Sequence, residues 1–444
     1  MVRYTIKDKN TVGWQVVSRL RLVILTLTIL ALFSTTSMAN TEPGLTMVGG
    51  MTDGGAYYLI AVPPIWNGDL VIWNHGFTLD PPGPLSMEDL GPLAPYQLAE
   101  GYAVAASSFQ QSGWALFKTK NDLQNMVGEF KDHFGKPNQV IVTGGSLGGA
   151  VTAQAIEKAH LGNVVGAYIL CGAVAGSRNW DGALDLRLIY DVVVAANIPP
   201  IPTAHIPGGA EGLPEGSALT DAQIAFRVNE ATGIFLQPEF RTPQQSANLA
   251  TILSETKIPA NFLITDMLYA TQNMSDLVHD THKLNSKLGT GNTSVNYVDD
   301  DINGDDDING NIARVSPHPG AENRLERYFT PSGDVGDTKI ISIHTDQDGL
   351  VIVENQSEYA SVVPAENLTV AIVVEEIPSH CEFTPAEALA GWESLRAWID
   401  GGQQPSASQI QATCLGIEST EFPGPCRIDP TFAVPDMDGR IRPR

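Results

Sequence analysis

Basic charge is what this sequence has least of: 26 Lys and Arg stand against 50 Asp and Glu, a formal net charge of −24. So acidic a surface repels polyanions, which excludes nucleic acid as a partner and argues against anionic lipid. Cysteine is scarce too, with four residues in 444, enough for two bridges and no more. Long apolar runs are missing after residue 39, so no later stretch is long and apolar enough to cross a membrane as a helix. Hydrophobic residues nonetheless make up 43% of the chain, which excludes wholesale disorder and allows a large core.

The one apolar run near a terminus has a different meaning. Arg3, Lys7, Lys9, Arg19 and Arg21 precede Leu22 to Phe33, and Ser37-Met38-Ala39 offers small residues at a cleavage position. Residues 1–39 therefore read as a secretory signal, with an uncleaved anchor as the alternative, for which the run is short. Cleavage lowers the charge from −24 to −28. The expected product is secreted, extracellular or periplasmic, with no stable membrane anchor. In an exported chain the four cysteines are expected to pair. Cys414 and Cys426 are close in sequence and would close the tail on itself, leaving Cys171 with Cys381.

What is present centres on Val140 to Gly149, VIVTGGSLGG. An apolar strand-type run ends in Gly144-Gly145-Ser146-Leu147-Gly148, and a small-residue helical stretch follows. That is a G-x-S-x-G elbow in the context of strand, sharp turn and helix. The turn lifts the serine hydroxyl clear of the sheet, so its neighbours must be tiny. Around it, apolar strand-like runs at 56–62, 70–73, 102–107, 139–143 and 164–170 alternate with helical spacing at 118–134 and 147–160. Near-continuous apolar strands of this kind predict a mostly parallel sheet covered on both faces, an α/β architecture. A Pro/Gly-rich loop at 80–95 is expected to cover part of a site.

The alternation stops at Ala173 and resumes at Lys339 to His344, with a further strand at 368–374 and a helix at 385–399. The predicted organisation is a first core part at 40–175, a cap or lid insertion at 176–336 and a second core part at 337–400. An irregular, disulfide-tied tail at 401–444 completes it.

A serine hydroxyl needs a base within hydrogen-bond reach, and the base needs an acid to fix its tautomer. In elbow proteins the order is serine, acid, histidine, with the acid after a late strand and the histidine after the last one. Asp348 follows the strand ending at His344, with Asp346 as runner-up, and His380 follows the strand ending at Val374. Ser146, Asp348 and His380 thus fall in the required order. The plainer readings are a turn serine, a turn or N-cap aspartate and a packing histidine. His344 reads as a strand-end packing residue and His75 as a loop-shaping hydrogen-bonder. His279 and His282, three apart on a predicted helix, read as a solvated face, and Trp114 and Trp180 as cleft lining or core.

On these motifs the chain resembles the α/β-hydrolase superfamily, in particular its secreted bacterial esterase and peptidase-like members. His344 to Val351 is similar to that superfamily's H-G-x-x-D-P-L-V strand end, with Thr345 and Gly349 as departures. Asn74-His75-Gly76-Phe77 is similar to its H-G-x turn. The resemblance implies that the backbone N–H groups of Phe77 and Leu147 hold a developing oxyanion. It spans roughly 55–175 and 336–400 and leaves the insertion unmatched. His380-Cys381 is also similar to the tannase and feruloyl esterase group, whose cysteine after the histidine bonds to one just before the serine. Gly145 occupies that place here, so the match is broken, and Cys171 is a substitute partner that would still tie the histidine loop to the sheet.

Inside the insertion, residues 299–304 and 305–310 are identical copies of D-D-D-I-N-G. Oxygens of Asp299, Asp301, Asn303, Asp305 and Asp307 recur at every second residue with Gly304 at the turn, which resembles the start of an EF-hand or thrombospondin-type calcium loop. The twelfth position is Gly310 rather than a bidentate glutamate. A structural calcium and a solvated acidic loop both remain open. No cofactor is required for catalysis. The leading expectation is a serine hydrolase acting on small or polymeric carboxylic esters. A peptidase acting near chain ends and a non-catalytic calcium-dependent binding protein are the alternatives.

Overall fold

The computed structural model describes residues 44–195, 201–297, 308–418 and 424–441. The leader at 1–39 and the acidic set Asp299, Asp301, Asn303, Asp305 and Asp307 lie outside the described residues. Strands β1 (Thr46–Met51), β2 (Tyr57–Val62), β3 (Leu70–Asn74), β4 (Ala103–Ser107), β5 (Val140–Gly145), β6 (Val164–Leu170), β7 (Lys339–Thr345), β8 (Leu368–Val373) and β9 (Ile428–Asp429) form one sheet. Its order is β1-β2-β4-β3-β5-β6-β7-β8-β9. β3 through β8 pair in parallel, while β1, β2 and β9 pair antiparallel at the two edges. With the elbow after β5, this is the α/β-hydrolase fold.

The strands read as continuous apolar runs because both faces are covered. Ile60, Ile72, Val140 and Val142 pack on one face with Leu123 and Val127 of the helix Thr119–Phe134 and Val151 of the helix Leu147–Lys158. The alternate residues Val71, Ile141, Tyr168 and Ile341 pack on the other face with Leu389, Trp392 and Leu395 of the helix Pro385–Ile399. A period of two with both sets apolar is the signature of a buried parallel sheet.

Between β6 and β7 the chain leaves the sheet and forms helices, numbered here α1 (Asn179–Ala195), α2 (Asp221–Thr232), α3 (Pro243–Thr256), α4 (Leu263–Leu268) and α5 (Met274–His279), with Pro319–Phe329 as α6. α2 and α3 begin with reciprocal capping boxes, Thr220 with Gln223 and Thr242 with Gln245, so each start is fixed by its own sequence. A π-helical turn, Tyr269–Asn273, joins α4 to α5. α5 ends at His279, so His282 lies beyond it, and the two histidines do not share a helix as their spacing suggested.

The tail differs most from expectation. It is not irregular: Ala407–Glu418 is helical and buries Ile410, Cys414 and Ile417, and β9 adds to the sheet edge. The apolar residues at 410, 414 and 417 are spaced for one helix face, a signal masked by the Pro and Gly on either side. β1 was also missed, because Thr46–Met51 holds two glycines and packs little of its side-chain surface.

Candidate active site

The elbow is built from close approaches. Ser146 has φ 57° and ψ −124° between the end of β5 and the helix Leu147–Lys158. A positive φ is costly for a serine and persists only where the surroundings enforce it. Its N–H donates to the Leu170 carbonyl at 2.9 Å, and its carbonyl accepts from Ala173 at 3.1 Å and Gly149 at 3.0 Å. A Cβ on Gly148 would collide with the Asn74 carbonyl, and one on Gly149 with the Cα of Gly172. The glycines therefore let β3, β5 and β6 close around one raised serine.

His380 reaches that serine from the loop after β8. Its Nε2 lies 2.9 Å from Ser146 Oγ, and its Nδ1 lies 2.6 Å from Asp348 Oδ2. Asp348 is buried, and its other oxygen accepts the N–H groups of Leu350 and Val351, each at 3.0 Å. With the carboxylate held on Nδ1–H, Nε2 is left as the acceptor facing the hydroxyl. Asp346 does not take part, since its Oδ1 accepts the Glu375 N–H at 2.9 Å.

Two further ties hold the histidine loop. Cys171, at the end of β6, is bonded to Cys381, with their Cα atoms 5.5 Å apart. Both cysteines have positive φ, so the bridge closes a loop whose backbone is bent on each side. Cys414 is bonded to Cys426. The second tie is Glu375, which is buried and accepts the N–H of Ser379 at 3.1 Å as well as the Ser379 hydroxyl. Burial pushes its pKa up to about 7, the two bonds from Ser379 oppose that, and Asp348 adds to it.

The turn Asn74-His75-Gly76-Phe77 lies against Ser146. A Cβ on Gly76 would sit 3.5 Å from Ser146 Cβ. Asn74 fixes the turn through Nδ2, which donates to the Thr143 carbonyl and to Thr152 Oγ1, both at 3.1 Å. His75 bonds the Gly76 carbonyl at 2.7 Å and stacks on Phe109 at 4.3 Å, and burial lowers its pKa. The backbone N–H of Phe77 and that of Leu147, the first residue of its helix, have no acceptor among the described residues. His344 is buried between the Val351 carbonyl and Gln356, which makes it a packing residue that also backs the Asp348 loop.

Ser146 and His380 open into a cavity of about 490 Å³ whose wall includes Phe77, Leu79, Trp114, Leu268, Tyr269 and Leu350. Leu79 and Asp80 bring the Pro/Gly-rich loop to this wall. Trp114 belongs to the lining while Trp180 is buried behind it, 5.2 Å away edge to face, and stacks on Tyr269 at 4.7 Å. The insertion is pinned to the loop beside the turn by Lys283, whose Nζ donates to the Ser112 carbonyl at 2.8 Å and to Asp276 at 2.5 Å.

Sequence reading missed Glu375 and the whole insertion wall. Glu375 stands four residues before Ser379 in EEIPSH, a spacing that could have flagged a buried carboxyl. Tyr269 and Leu268 carry no such signal, because a helical stretch does not show which of its residues will face the distant Ser146.

No protein-family model matches the sequence, and no curated protein matches it. Solved structures with a partial likeness include a bacterial membrane phospholipase A (13% identity, TM-score 0.39, covering 88% of this chain and 96% of that one). An esterase of Pyrococcus furiosus shows 14% identity and TM-score 0.37, covering 81% and 92%. Lipase A of Candida antarctica, in its closed state, shows 12% identity and TM-score 0.40, covering 89% and 87%. At such scores these likenesses carry no argument on activity, and the fold rests on the sheet order and the elbow.

Proposed function

We propose that the protein is a serine hydrolase that cleaves carboxylic esters, with Ser146 as nucleophile, His380 as base and Asp348 as its orienting acid. The observation that carries this reading is the unbroken chain Asp348 Oδ2, His380 and Ser146 Oγ at 2.6 and 2.9 Å, opening onto a largely apolar cavity. His380 Nε2 takes the hydroxyl proton as Oγ attacks the ester carbonyl. The tetrahedral oxyanion accepts from the N–H groups of Phe77 and Leu147, which are unspent in the resting site. One such donor is worth ~3 kcal/mol in the transition state. His380 then gives the proton to the leaving alkoxide, and in the second half it activates water to release the acid.

The insertion acts as the cap that shapes the substrate space, and export with removal of residues 1–39 places the enzyme outside the cytoplasm, where both bridges are stable. The test compares short p-nitrophenyl esters with matched aminoacyl and peptidyl anilides. Esters should show a burst of about one nitrophenolate per protein and the higher kcat/KM. Anilides turning over faster would make the protein a peptidase, and no turnover of either would remove the hydrolase reading.

A further inference from the structure

A second cavity of about 440 Å³ adjoins the first and shares Asn179, Tyr269 and Leu350 with it. Its walls come from α1, the end of α3, α4, the Asp348 loop and the C-terminal turn around Arg440. Among the charged residues facing it, most are already engaged. Asp185 accepts the Tyr297 hydroxyl at 2.6 Å, Asp438 pairs with Arg178 at 2.7 Å, and the Lys257 ammonium donates to the Gly439 carbonyl. Arg440 pairs with Glu354 through Nη1 but leaves its Nη2 unpartnered, and the exception among the carboxyls is Asp266. It is 7% exposed, and its carboxyl has no hydrogen-bond partner among the described residues.

A buried carboxyl without a partner is expensive, and a structural position would have selected an apolar or amide side chain of like size. Such a cost is characteristic of a site kept for a ligand. The charge around it has a definite sign. Arg440 is the cation nearby, and it faces three carboxyls, Glu354, Asp266 and Asp348. It lies 3.8 Å from Glu354, while Asp348 is held by His380. Three carboxyls thus share one guanidinium, and Asp266 is the one among them with no hydrogen-bonded partner. Burial first, and Asp348 second, drive the Asp266 pKa well above the ordinary range, a shift that an incoming cation would reverse.

The geometry points to this cavity as a binding subsite for an ammonium group, with Asp266 as the carboxylate that receives it. The subsite rests on the hydrolase reading for its use: the cation belongs to an ester whose carbonyl sits at Ser146 and whose charged end passes the neck at Tyr269 and Leu350. Asp266 is thus a specificity-determining residue, not one that touches the reacting atoms.

Two pairs of esters test the assignment. One pair sets a quaternary ammonium in the alcohol part against its neutral tert-butyl isostere; the other sets a primary ammonium at the end of the acyl chain against a methyl group. In one of the pairs the cationic ester should have a KM about tenfold lower, with kcat little changed. Asp266→Asn should erase that preference, read as the ratio of the two KM values within each protein returning to about one. Equal KM values in wild type, or a preference that survives Asp266→Asn, would overturn the subsite. A second arm does not need turnover: calorimetry of butylammonium and tetramethylammonium on Ser146→Ala protein. Binding of at least one, lost in Ser146→Ala/Asp266→Asn, supports the subsite even if esters are not the substrate. No binding of either sinks the subsite and leaves the hydrolase reading standing. Asp266→Ser serves in place of Asp266→Asn should the latter fail to fold.

Discussion

The strand ends and the helical insertion meet at one cavity, yet they are held in different ways. At the strand ends Ser146 and the His380 loop are fixed by the sheet bonds to Ser146, the bridge from Cys171 to Cys381, and the clamp of Glu375 on Ser379. The insertion has the starts of two helices set by local devices, the capping boxes at Thr220 and Thr242, while its apolar residues join the same core as one face of the sheet. It also contains a π-helical turn and an unpaired buried aspartate. The difference teaches where chemistry and selectivity are kept. The side chains within hydrogen-bond distance of one another sit at strand ends, while helices of the insertion supply the facing wall of the cavity.

If that division is right, changes at the strand ends should act on kcat and changes in the insertion on KM. The largest effect is expected from Asp348→Asn, which leaves His380 in the wrong tautomer and should lower kcat by roughly 10³- to 10⁴-fold. Asp346→Asn should stay within about tenfold of wild type, because Asp346 spends its carboxylate on the Glu375 N–H. Steady-state kinetics on one ester would decide, and the reverse ranking would move the acid to Asp346.

Next in size is the bridge. Cys171 and Cys381 are 210 residues apart, and Cys414 and Cys426 only 12. In the chain-entropy view the long loop contributes roughly 5 kcal/mol and the short one roughly 3. Denaturant melts should therefore show Cys171→Ser as the more destabilised variant, and it alone should lose kcat, because its bridge adjoins His380. Equal loss of kcat in Cys414→Ser would erase the distinction between site and periphery.

The smallest effect concerns Glu375. Its folded pKa of about 7 lies above its ordinary 4.5. The stability it contributes is therefore full below the ordinary value and is lost as pH rises through about 7. Glu375→Gln stays neutral throughout, so its melting temperature should gain on wild type between pH 5 and pH 8. A difference that does not grow with pH would show that the carboxyl titrates normally.

How much of this was legible follows the same division. Ser146, Asp348 and His380 could be placed from sequence because strand, turn and residue order fix where a strand-end side chain emerges. β5 and the helix Pro385–Ile399 could be read because their apolar periods are unbroken. β1 escaped because Gly49 and Gly50 hide a two-residue period, and the helix at Ala407–Glu418 because its one apolar face is short. The insertion wall stayed unreadable for a stronger reason. Its helices show which residues are apolar but not which of them face Ser146, and Asp266 looks like any helical aspartate until its neighbours are known.

The most direct measurement is a fluorophosphonate label followed by peptide mass spectrometry. The account predicts a single adduct on Ser146 at one label per protein, none in Ser146→Ala, and labelling slowed by orders of magnitude in His380→Ala. An adduct on another residue, or undiminished labelling of Ser146→Ala, would contradict it.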